Sequence, residues 1–566
     1  MSDSTIDQIL SELNPLVPLE RARARTRRVK LGLVVGGSLN DGLDVKLDRD
    51  TYLEGLAVGS YVTIDGQTDR KFLGLVTDIR LAATDENVQK MPPDVDDFIT
   101  DIYRGTTVFG VLHVKPMLVL EGDSAEPKPI KTVPTHFTTA YRATPEEVQA
   151  IFAAEEKQTY GIGASVDDAT IKINLDMERF VERSSAIFGR SGTGKTFLAL
   201  PLLANVIKND IASVLIFDMH NDYGSKLKGD KGKFFKGLKE LPRISQRVVI
   251  VSLDEESSRT RRSAYEFALS IGYEQIEPED LEMLQSVLSL TDVQVNALYA
   301  LKRRFPKDWV QKLLSEDEDE DIQTLLEGNK IAEGTYYAIQ RKLNRLLKFG
   351  FVKPLVHENV VERILEHLTH GDNVVVEFGR YGNDLPAYVF VANFITRRIH
   401  EKYVQMKEAA EGGGVEPRKL IIAVEEAHKF LDPAIAGLTI FGTIARELRK
   451  YNVTLLIIDQ RPSQIDAEVM SQIGTRITCA LSDEKDIAAV FTGMSGTQQL
   501  RSILASLDSK QQALIMGHAV PMPVVVQTRE YGPDVYAEFS TDGLSAQERH
   551  ARNQRKLGRN NDDGLI

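Results

Sequence analysis

The stretch at residues 189–196, Gly-Arg-Ser-Gly-Thr-Gly-Lys-Thr, constrains the fold of this chain more than any other. It fits the pattern G-x-x-x-x-G-K-[ST], which is typical of a loop that wraps phosphate groups. A short apolar run at 184–188 precedes the loop, and a longer one at 197–207 follows, in which we expect a helix with Pro201 in its first turns. Strand, glycine loop and helix form the context that the motif requires, so the sequence predicts a nucleoside triphosphate site.

The residue types in the loop match the needs of a bound triphosphate. Gly192 and Gly194 let the backbone curl until successive N–H groups point at phosphate oxygens. Lys195 would reach the β- and γ-phosphates, and the Thr196 hydroxyl would bind Mg²⁺. The alternative is a glycine turn with an incidental lysine. The predicted nucleotide-binding residues are Gly189, Arg190, Ser191, Gly192, Thr193, Gly194, Lys195 and Thr196.

Composition limits the other classes of protein. The chain has 566 residues, enough for roughly two to four domains. Its one cysteine, Cys479, excludes intramolecular disulfides and multi-cysteine metal sites and suits a reducing cytoplasm. The sequence has neither an apolar run of about 18 residues that could cross a membrane nor the order of a signal peptide at its start, so we expect a cytoplasmic protein without membrane contact. The net charge of -13 argues against a surface coated for nucleic acid but leaves a local basic channel open.

Two segments precede the nucleotide-binding core. Residues 1–28 are predicted to be a tail that ends in a basic run, which is either a nucleic-acid or partner contact or a solvated lead-in to a strand. Residues 29–143 contain short apolar or alternating runs separated by turn signals, a pattern typical of a small β-barrel. The stretch 84–101 would be a loop on that barrel. Because no catalytic constellation is found there, we interpret 29–143 as a docking or assembly domain.

The remaining chain alternates strand and helix signals, which predicts an α/β core interrupted by helices. A strand predicted at 213–217 ends in Asp218 and His220, which either sense the nucleotide or form a structural turn. The predicted divisions are a first core part at 144–254, a helical insertion at 255–370, a second core part at 371–530 and a C-terminal extension at 531–566.

A second motif of the core is acidic. An apolar run at 420–424 ends in Glu425 and Glu426. Glu425 would hold Mg²⁺ together with Thr196, and Glu426 would polarise the attacking water. A surface pair of carboxylates is the alternative. Gln460, at the end of a later apolar run, is placed to contact the γ-phosphate or the attacking water.

An arginine-bearing helix is predicted between these two motifs. It covers 438–451, where Arg446 and Arg449 are three residues apart and therefore share a face. Further predicted strands are 476–481, 512–516 and, at the edge of the sheet, 523–528.

A lysine-rich stretch at 226–239 is the candidate nucleic-acid contact. Its lysines alternate with Phe234 and Phe235, and phosphate neutralisation combined with base stacking is how proteins track a nucleic-acid strand. A solvated loop and helix is the alternative, because charge runs are common on protein surfaces. The predicted DNA-binding residues are Lys226, Lys228, Lys231, Lys233, Lys236 and Lys239.

The ordered combination of these motifs resembles the HerA family of the HerA/FtsK superfamily of DNA translocases, over nearly the whole chain. The motifs are the loop at 189–196, the acidic strand end at 424–428, the arginine helix at 445–450 and the polar strand end at 459–463. The resemblance implies an α/β fold, with a RecA-like P-loop ATPase core, an N-terminal small β-barrel of the HAS-barrel kind and a helical insertion. It also implies a homohexameric ring that hydrolyses ATP with Mg²⁺ at subunit interfaces and translocates on double-stranded DNA.

By position, the resemblance implies catalytic roles for Lys195, Glu426, Gln460 and an arginine finger. The finger would be Arg449, with Arg446 as second choice, reaching the γ-phosphate bound by the neighbouring subunit. Family members work with a partner docked on the barrel, often a NurA-type nuclease and, in anti-phage complexes, a sirtuin-like, NAD-hydrolysing effector. The resemblance therefore implies DNA end processing or anti-phage defence and leaves both open.

The chain departs from the family pattern at two positions, with Glu425 in place of aspartate and Leu448 in place of glycine. Two other functions stay open. A coupling ATPase of conjugation or secretion is disfavoured, because those proteins usually carry membrane anchors. A ring scaffold, in which hydrolysis regulates the assembly of an effector with little DNA movement, would be distinguished by an ATPase that DNA does not stimulate.

Overall fold

The structure is a computed structural model of the chain. It describes residues 28–67, 70–84, 88, 103–121, 127–152, 158–166, 168–229, 232–315, 320–328, 331–347, 349–437, 439–494, 497–508 and 511–541. The predicted tail before Arg28, nearly all of the predicted loop at 84–101 and the C-terminal extension beyond residue 541 lie outside these ranges.

The predicted N-terminal barrel is present. Its strands are β1 (Lys30–Ser38), β2 (Gly42–Leu47), β3 (Tyr61–Asp65), β4 (Arg70–Ala83), β5 (Val108–Glu121), β6 (Lys128–Pro129) and β7 (Thr139–Arg142). They pair antiparallel in the order β2-β1-β7-β3-β4-β5-β6, and β2 also pairs with β5, which closes six of them into a barrel. Val34, Val45 and Leu112 belong to its apolar core. The β1–β2 turn needs a glycine at Gly42, because its φ is +100° and a Cβ there would lie 2.7 Å from Nε2 of His113.

The chain then enters the α/β core, whose elements continue in chain order. The first are α1 (Pro145–Phe152), β8 (Thr159–Ser165), β9 (Lys172–Asp176), α2 (Met177–Glu182), β10 (Ser185–Phe188), α3 (Lys195–Lys208), β11 (Ser213–Asp218), β12 (Leu227–Lys228), β13 (Phe234–Phe235) and β14 (Val248–Ser252). The helix after the phosphate loop is therefore α3, and Pro201 lies inside it. Its apolar side chains are buried along nearly its whole length, which offsets the loss of one backbone hydrogen bond at the proline.

Helices dominate the stretch between β14 and the acidic motif. The elements are α4 (Glu255–Arg261), β15 (Phe267–Ala268), β16 (Ile271–Gly272), α5 (Pro278–Glu282), α6 (Asp292–Arg304), α7 (Trp309–Leu314), α8 (Glu320–Glu327), α9 (Glu333–Leu347), β17 (Val352–Lys353), α10 (Val360–Thr369), β18 (Asn373–Glu377) and α11 (Leu385–Glu411). The stretch predicted to be a helical insertion is mainly helical, although β15 joins the edge of the large sheet and α10 packs on β18.

The last part of the core carries the remaining motifs. Its elements are β19 (Leu420–Glu425), α12 (His428–Leu431), α13 (Ile440–Glu447), β20 (Val453–Asp459), α14 (Ala467–Gln472), β21 (Thr475–Cys479), α15 (Glu484–Val490), α16 (Gln498–Ser506), β22 (Gln512–Gly517), β23 (Val524–Thr528) and α17 (Pro533–Ala537). The helix predicted at 438–451 is shorter than expected: α13 ends at Glu447, and a turn of 3₁₀ helix, Leu448–Tyr451, follows it.

Twelve strands form one sheet in the order β15-β14-β18-β11-β19-β20-β10-β21-β22-β23-β8-β9. Neighbours from β15 to β21 run parallel, and neighbours from β21 to β9 run antiparallel. The central strands are buried at every residue, as expected of a parallel sheet covered on both faces. The carboxyl ends of the parallel strands meet at one edge, where α/β sheets bind ligands.

The prediction that 523–528 is an edge strand is wrong. Strand β23 lies between β22 and β8, and Gln527 pairs with Ala164 of β8. The β8–β9 hairpin covers it because Gly163 permits a close approach, since a Cβ there would lie 2.1 Å from the Gln527 carbonyl oxygen. The strands predicted at 476–481 and 512–516 are confirmed as β21 and β22.

One hydrophobic cluster joins the barrel to the sheet. Leu73, Leu75 and Leu118 of the barrel belong to the same group of buried residues as Phe152 of α1 and the core strands. Within the described ranges, no helix is long and apolar enough to cross a membrane.

Candidate nucleotide site

The phosphate loop connects β10 to α3 in an open curl. Gly189, Gly192 and Gly194 have φ angles of 157°, 79° and 91°, which favour glycine. The Thr193 hydroxyl closes the curl by donating to the Arg190 carbonyl oxygen at 2.8 Å. A Cβ at Gly189 would lie 2.6 Å from Oγ1 of Thr193. The backbone therefore has a shape in which N–H groups of the loop and of the first turn of α3 can bind phosphate.

Lys195 is folded over this loop. Its Nζ donates to the carbonyl oxygens of Gly189 at 2.8 Å and Arg190 at 3.3 Å. Burial lowers the pKa of Lys195, and the negative charge of Glu426 opposes that shift. A phosphate in the loop can offer the ammonium group charged oxygens, which it binds more strongly than neutral carbonyl oxygens.

Four adjacent parallel strands end in an acidic residue at the same edge. In the order of the sheet these are Glu377 on β18, Asp218 on β11, Glu425 on β19 and Asp459 on β20. Asp218 and Glu377 are 0% exposed, Glu425 is 7% exposed and Asp459 is 1% exposed. A buried carboxylate is costly unless it is protonated, hydrogen-bonded or paired with a cation. The partners of each one therefore indicate its role.

Glu425 is hydrogen-bonded through one carboxylate oxygen only. The Tyr223 hydroxyl donates to Oε1 at 3.1 Å, whereas Oε2 is buried and has no hydrogen-bond partner among the described residues. The Tyr388 hydroxyl donates to the main-chain oxygen of Glu425 at 2.9 Å. Burial, together with the negative charge of Asp218, raises the pKa of Glu425 to about 8. A divalent cation would supply the partner that Oε2 lacks, and carboxylate oxygens are ligands that Mg²⁺ prefers.

Asp218 holds a tight turn. Its Oδ1 accepts from the main-chain N–H of Asp222 at 2.8 Å, and its Oδ2 accepts from that of Tyr223 at 2.9 Å. Burial and the neighbouring Glu377 raise the pKa of Asp218 to about 7. Of the two interpretations left open by the sequence, these hydrogen bonds support the structural turn for Asp218, and His220 is exposed beside it.

Glu426 and Gln460 face each other where β19 and β20 end. Nε2 of Gln460 donates to Oε1 of Glu426 at 2.7 Å. Glu426 has a φ of 48°, a left-handed conformation that costs a non-glycine residue about 1–2 kcal/mol. This turn of the main chain directs the Glu426 carboxylate to the region of Lys195, where its negative charge opposes the lowering of the Lys195 pKa by burial.

Asp459 fixes the segments that follow both strands. It accepts from the main-chain N–H groups of His428 at 2.7 Å and Arg461 at 2.7 Å. Nδ1 of His428 lies 3.0 Å from Oδ2 of Asp459 and 3.5 Å from Oε2 of Glu426. Burial alone would lower the pKa of His428, but the hydrogen bond and charge of Asp459 raise it. The potential metal-binding atoms of Glu426, His428 and Asp459 lie within 4.8 Å of one another. Because hydrogen bonds already engage Asp459, we interpret these three residues as an ion-pair network and not as a metal site.

The main chain of both candidate arginine fingers precedes β20. The 3₁₀ turn that carries Arg449 leads into the start of β20, whereas the phosphate loop follows the strand end that pairs with Asp459. Arg446 is engaged within its own chain, with NH1 3.1 Å from Oε2 of Glu468 and NH2 3.0 Å from the Ala436 carbonyl oxygen. The side chain of Arg449 lies outside the described part of the structure.

The lysine-rich stretch forms a β-hairpin followed by a 3₁₀ turn, instead of a loop and helix. In the hairpin, Leu227 pairs with Phe235 and Lys228 pairs with Phe234. Phe235 packs on Phe197 of α3, with ring centroids 4.7 Å apart. Phe234, in contrast, is 64% exposed.

The six lysines differ in their surroundings. Lys228 is exposed, and Lys239 pairs with Glu266. Lys231 lies outside the described residues. The other contacts are Lys226 with Glu240 at 3.8 Å, Lys233 with Glu530 at 3.5 Å, and Lys236 over the ring of Tyr536 at 5.1 Å.

Sequence reasoning missed three side chains at this site. Tyr223 follows its strand by several residues, and the sequence has no signal for its contact with Glu425. Asp459 and His428 stand inside the quoted motifs, but only the fold reveals that they bond to each other. A polar residue at the end of each buried parallel strand was the signal that could have identified Asp459.

Comparisons with known proteins agree with this architecture. Residues 160–399 match the family model described as "Helicase HerA, central domain", and residues 31–125 match the HAS barrel domain. The chain is 25% identical over 531 residues to the DNA double-strand break repair helicase HerA of Sulfurisphaera tokodaii, covering 88% of this chain and 93% of the relative. It is 22% identical over 519 residues to that of Pyrococcus furiosus, covering 83% and 87%.

Among solved structures, VirB4 of Thermoanaerobacter pseudethanolicus is 14% identical, with 68% of this chain and 99% of that chain covered and a TM-score of 0.44. The two matching family models fall on the barrel and on the part of the core that carries the phosphate loop. Over most of its length the chain is similar to HerA-type P-loop ATPases.

Proposed function

We propose that this chain is an ATP-driven double-stranded DNA translocase/helicase that acts as a homohexameric ring with Mg²⁺. The observation that best supports hydrolysis is the Glu426–Gln460 hydrogen bond at the sheet edge that carries the phosphate loop. A carboxylate oriented by an amide, close to a loop lysine, is the arrangement that activates water against a phosphate.

Each residue has a distinct task in this proposal. Lys195 leaves the loop carbonyl oxygens and binds the β- and γ-phosphates. Gln460 occupies Oε1 of Glu426, and Oε2, which lies 3.5 Å from Nδ1 of His428, would accept a proton from the attacking water. The amide oxygen of Gln460 can accept a second hydrogen bond from the same water.

Thr196 and Glu425 would hold the Mg²⁺ ion, which supplies charge neutralisation for the phosphates. The residues fit that ion, because Oε2 of Glu425 is a buried acceptor with no partner among the described residues. The glutamate at this position, where the family pattern has aspartate, is itself hydrogen-bonded by Tyr223 and so has a fixed carboxylate.

A ring is supported by the position of the arginines. Arg446 and Arg449 precede β20, while the nucleotide would bind beyond the other end of that strand. Because the main chain of Arg449 enters β20 at the end away from the phosphate loop, the proposal assigns Arg449 to the phosphate bound by a neighbouring subunit. Cyclic symmetry repeats such a heterologous contact around a ring.

DNA is the proposed track because the hairpin β12–β13 exposes Lys228 and Phe234, which pair with each other across its two strands. Cations and an aromatic ring on an exposed hairpin suit a phosphate backbone and bases. The relatives named above are DNA double-strand break repair helicases, which agrees with that substrate class.

The DNA proposal is tested by reversing the charge of the hairpin. In Lys228→Glu with Lys233→Glu, we expect the stimulation of ATPase activity by double-stranded DNA to fall and the salt dependence of DNA affinity to become weaker. Lys307→Glu, an exposed lysine of the helical stretch, is the matched control. Triplex displacement measures translocation directly. A wild-type ATPase that DNA does not stimulate would favour the ring-scaffold function instead.

A partner effector, either a nuclease or an NAD-hydrolysing enzyme, is proposed to dock on the barrel. An open cavity of about 920 Å³ lies there, lined by residues that include Tyr52 and Leu81, which are 70% and 78% exposed. Exposed large apolar side chains beside a cavity are typical of protein contacts. The partner would give the motor a role in DNA end processing or anti-phage defence.

The partner proposal is tested with a candidate nuclease or NAD-hydrolysing enzyme. We expect the purified pair to co-elute with a mass that light scattering assigns to a ring plus effector. Leu81→Asp should abolish the complex, while Val293→Asp, at another exposed apolar residue on α6, should leave it intact. If Leu81→Asp does not abolish the complex, the barrel surface is excluded as the docking site.

A further inference from the structure

Tyr223 holds the carboxylate of Glu425, one of the two residues proposed to hold the metal ion. Its side chain is 0% exposed, and its hydroxyl donates to Oε1 of Glu425 at 3.1 Å. The phenol has one hydrogen, and that hydrogen goes to the carboxylate.

This hydrogen bond leaves the second carboxylate oxygen for a cation. The phenol hydrogen fixes Oε1 of Glu425. Oε2, which has no partner among the described residues, is thereby left for the ion. Mg²⁺ demands nearly ideal octahedral geometry, so a small displacement of the carboxylate matters.

The main chain of Tyr223 is held from two sides. Its N–H donates to Oδ2 of Asp218 at 2.9 Å, and its carbonyl oxygen accepts from the N–H of Leu238 at 2.8 Å. These contacts come from the end of β11 and from the segment after the hairpin. The main chain that carries the phenol is therefore fixed, so the Tyr223 hydroxyl holds the Glu425 carboxylate in one position.

We propose that Tyr223 is a positioning residue that fixes the Glu425 carboxylate for Mg²⁺. The proposal rests on the proposed function, in which Thr196 and Glu425 hold the ion. Tyr223 itself does not touch the metal or the nucleotide. It acts through the hydrogen bond from its hydroxyl to Oε1 of Glu425.

Tyr223→Phe tests this role, with Tyr388→Phe as the matched control. Both tyrosines are fully buried, and both donate to Glu425, but Tyr388 donates to the main-chain oxygen and Tyr223 to the carboxylate. The readout is the affinity for a non-hydrolysable ATP analogue, titrated with Mg²⁺ and measured separately in EDTA. It requires no turnover.

We expect Tyr223→Phe to raise the Mg²⁺ concentration needed for half-maximal tight binding by about 10–100-fold, the usual effect of losing a hydrogen bond to a metal ligand. Affinity in EDTA should stay at the wild-type value. Tyr388→Phe should keep the wild-type Mg²⁺ requirement. An unchanged requirement in Tyr223→Phe would overturn the proposal.

Thr196→Ala and Glu425→Gln separate this inference from the proposed function. If both leave the Mg²⁺ requirement unchanged, the proposed metal site is wrong. If both raise it and Tyr223→Phe does not, only the role of Tyr223 is wrong. Tyr223→Met, which also lacks the hydroxyl, must reproduce the shift. Failure of both Tyr223 variants to fold would make the residue structural and would also overturn the proposal.

Discussion

The Gln460 amide donates a 2.7 Å hydrogen bond from Nε2 to Oε1 of Glu426, across the ends of two neighbouring parallel strands. Glu426 reaches this position only because its φ is 48°. Backbone strain of this kind, worth about 1–3 kcal/mol, persists where the surrounding structure enforces it and is common at functional sites. The strain and the hydrogen bond together make this pair the best candidate for the centre that activates water.

Glu426→Gln should separate binding from hydrolysis. The amide keeps the size of the side chain but cannot accept a proton, so we expect turnover to fall by about 10²–10⁴-fold while ATP affinity is retained. Single-turnover hydrolysis and analogue binding measure the two quantities. Glu327→Gln, at an exposed position of α8, is the control. Normal hydrolysis by Glu426→Gln would contradict the assignment of the base.

Gln460 should be needed to orient Glu426 and not to bind the nucleotide. Gln460→Ala removes the hydrogen bond to Oε1, and we expect a lower kcat with an unchanged nucleotide Kd. Gln460→Glu places a second carboxylate 2.7 Å from the position of the first, so one of the two must take up a proton near neutral pH. The pH dependence of kcat in Gln460→Glu should therefore differ from that of the wild type. If both variants keep the wild-type kcat at every pH, the orienting role is excluded.

Arg449 and Arg446 should give different phenotypes. Arg449→Ala is expected to lose about 10³–10⁵-fold in turnover with little change in nucleotide affinity, because an arginine finger acts on the transition state. Arg446→Ala breaks contacts to Glu468 and to Ala436, so we expect its main effect to be a lower thermal stability. Mixing Arg449→Ala with Lys195→Ala subunits should restore activity if the finger acts in trans. The reverse pattern of losses would identify Arg446 as the finger.

The sequence was sufficient for the local elements of the site. The glycine loop, the acidic strand end and Gln460 each have a short motif, and the fold brings their main chains to one edge of the sheet. What local patterns do not contain is the order of the strands. In the sheet, β20 lies between β10 and β19, and this position brings Gln460 into contact with Glu426.

Long-range pairing also explains the errors. β23 was assigned to the edge because nothing in its own sequence reports that β8, from more than 350 positions earlier, pairs with it. The strand pattern of β8 is obscured by its glycines, Gly161 and Gly163, of which Gly163 is required by the close packing against Gln527. Tyr223 was missed for the same reason, since its partner Glu425 is distant in sequence.

Asp280 should hold the helical stretch to the core. It is 0% exposed on α5, and its carboxylate accepts from Nε of Arg397 at 3.1 Å and from NH2 of Arg398 at 3.0 Å, both on α11. Asp280→Asn leaves two arginines without their buried counter-charge, which typically costs about 3–5 kcal/mol, less here because both are partly exposed. We expect a lower thermal midpoint, with the exposed Asp308→Asn as control. An unchanged midpoint would show that the pair is not a stabilising contact.

The His428–Asp459 ion pair should make stability depend on pH. The hydrogen bond and charge of Asp459 raise the pKa of His428 above its ordinary value of 6.5, against the effect of burial. Its contribution is therefore complete below pH 6.5 and is lost as the pH rises through the higher folded value. Burial alone would raise the pKa of Asp459, but His428 lowers it from 3.8, so the contribution of Asp459 is present above pH 3.8 and fades in stronger acid.

We expect the difference in thermal midpoint between wild type and His428→Gln to be largest between pH 3.8 and pH 6.5 and to shrink in alkaline buffer. His220→Gln, at an exposed histidine, should show no such trend. A difference that is constant with pH, or larger in alkaline buffer, would mean that the charged pair does not stabilise the segments that carry Glu426 and Gln460.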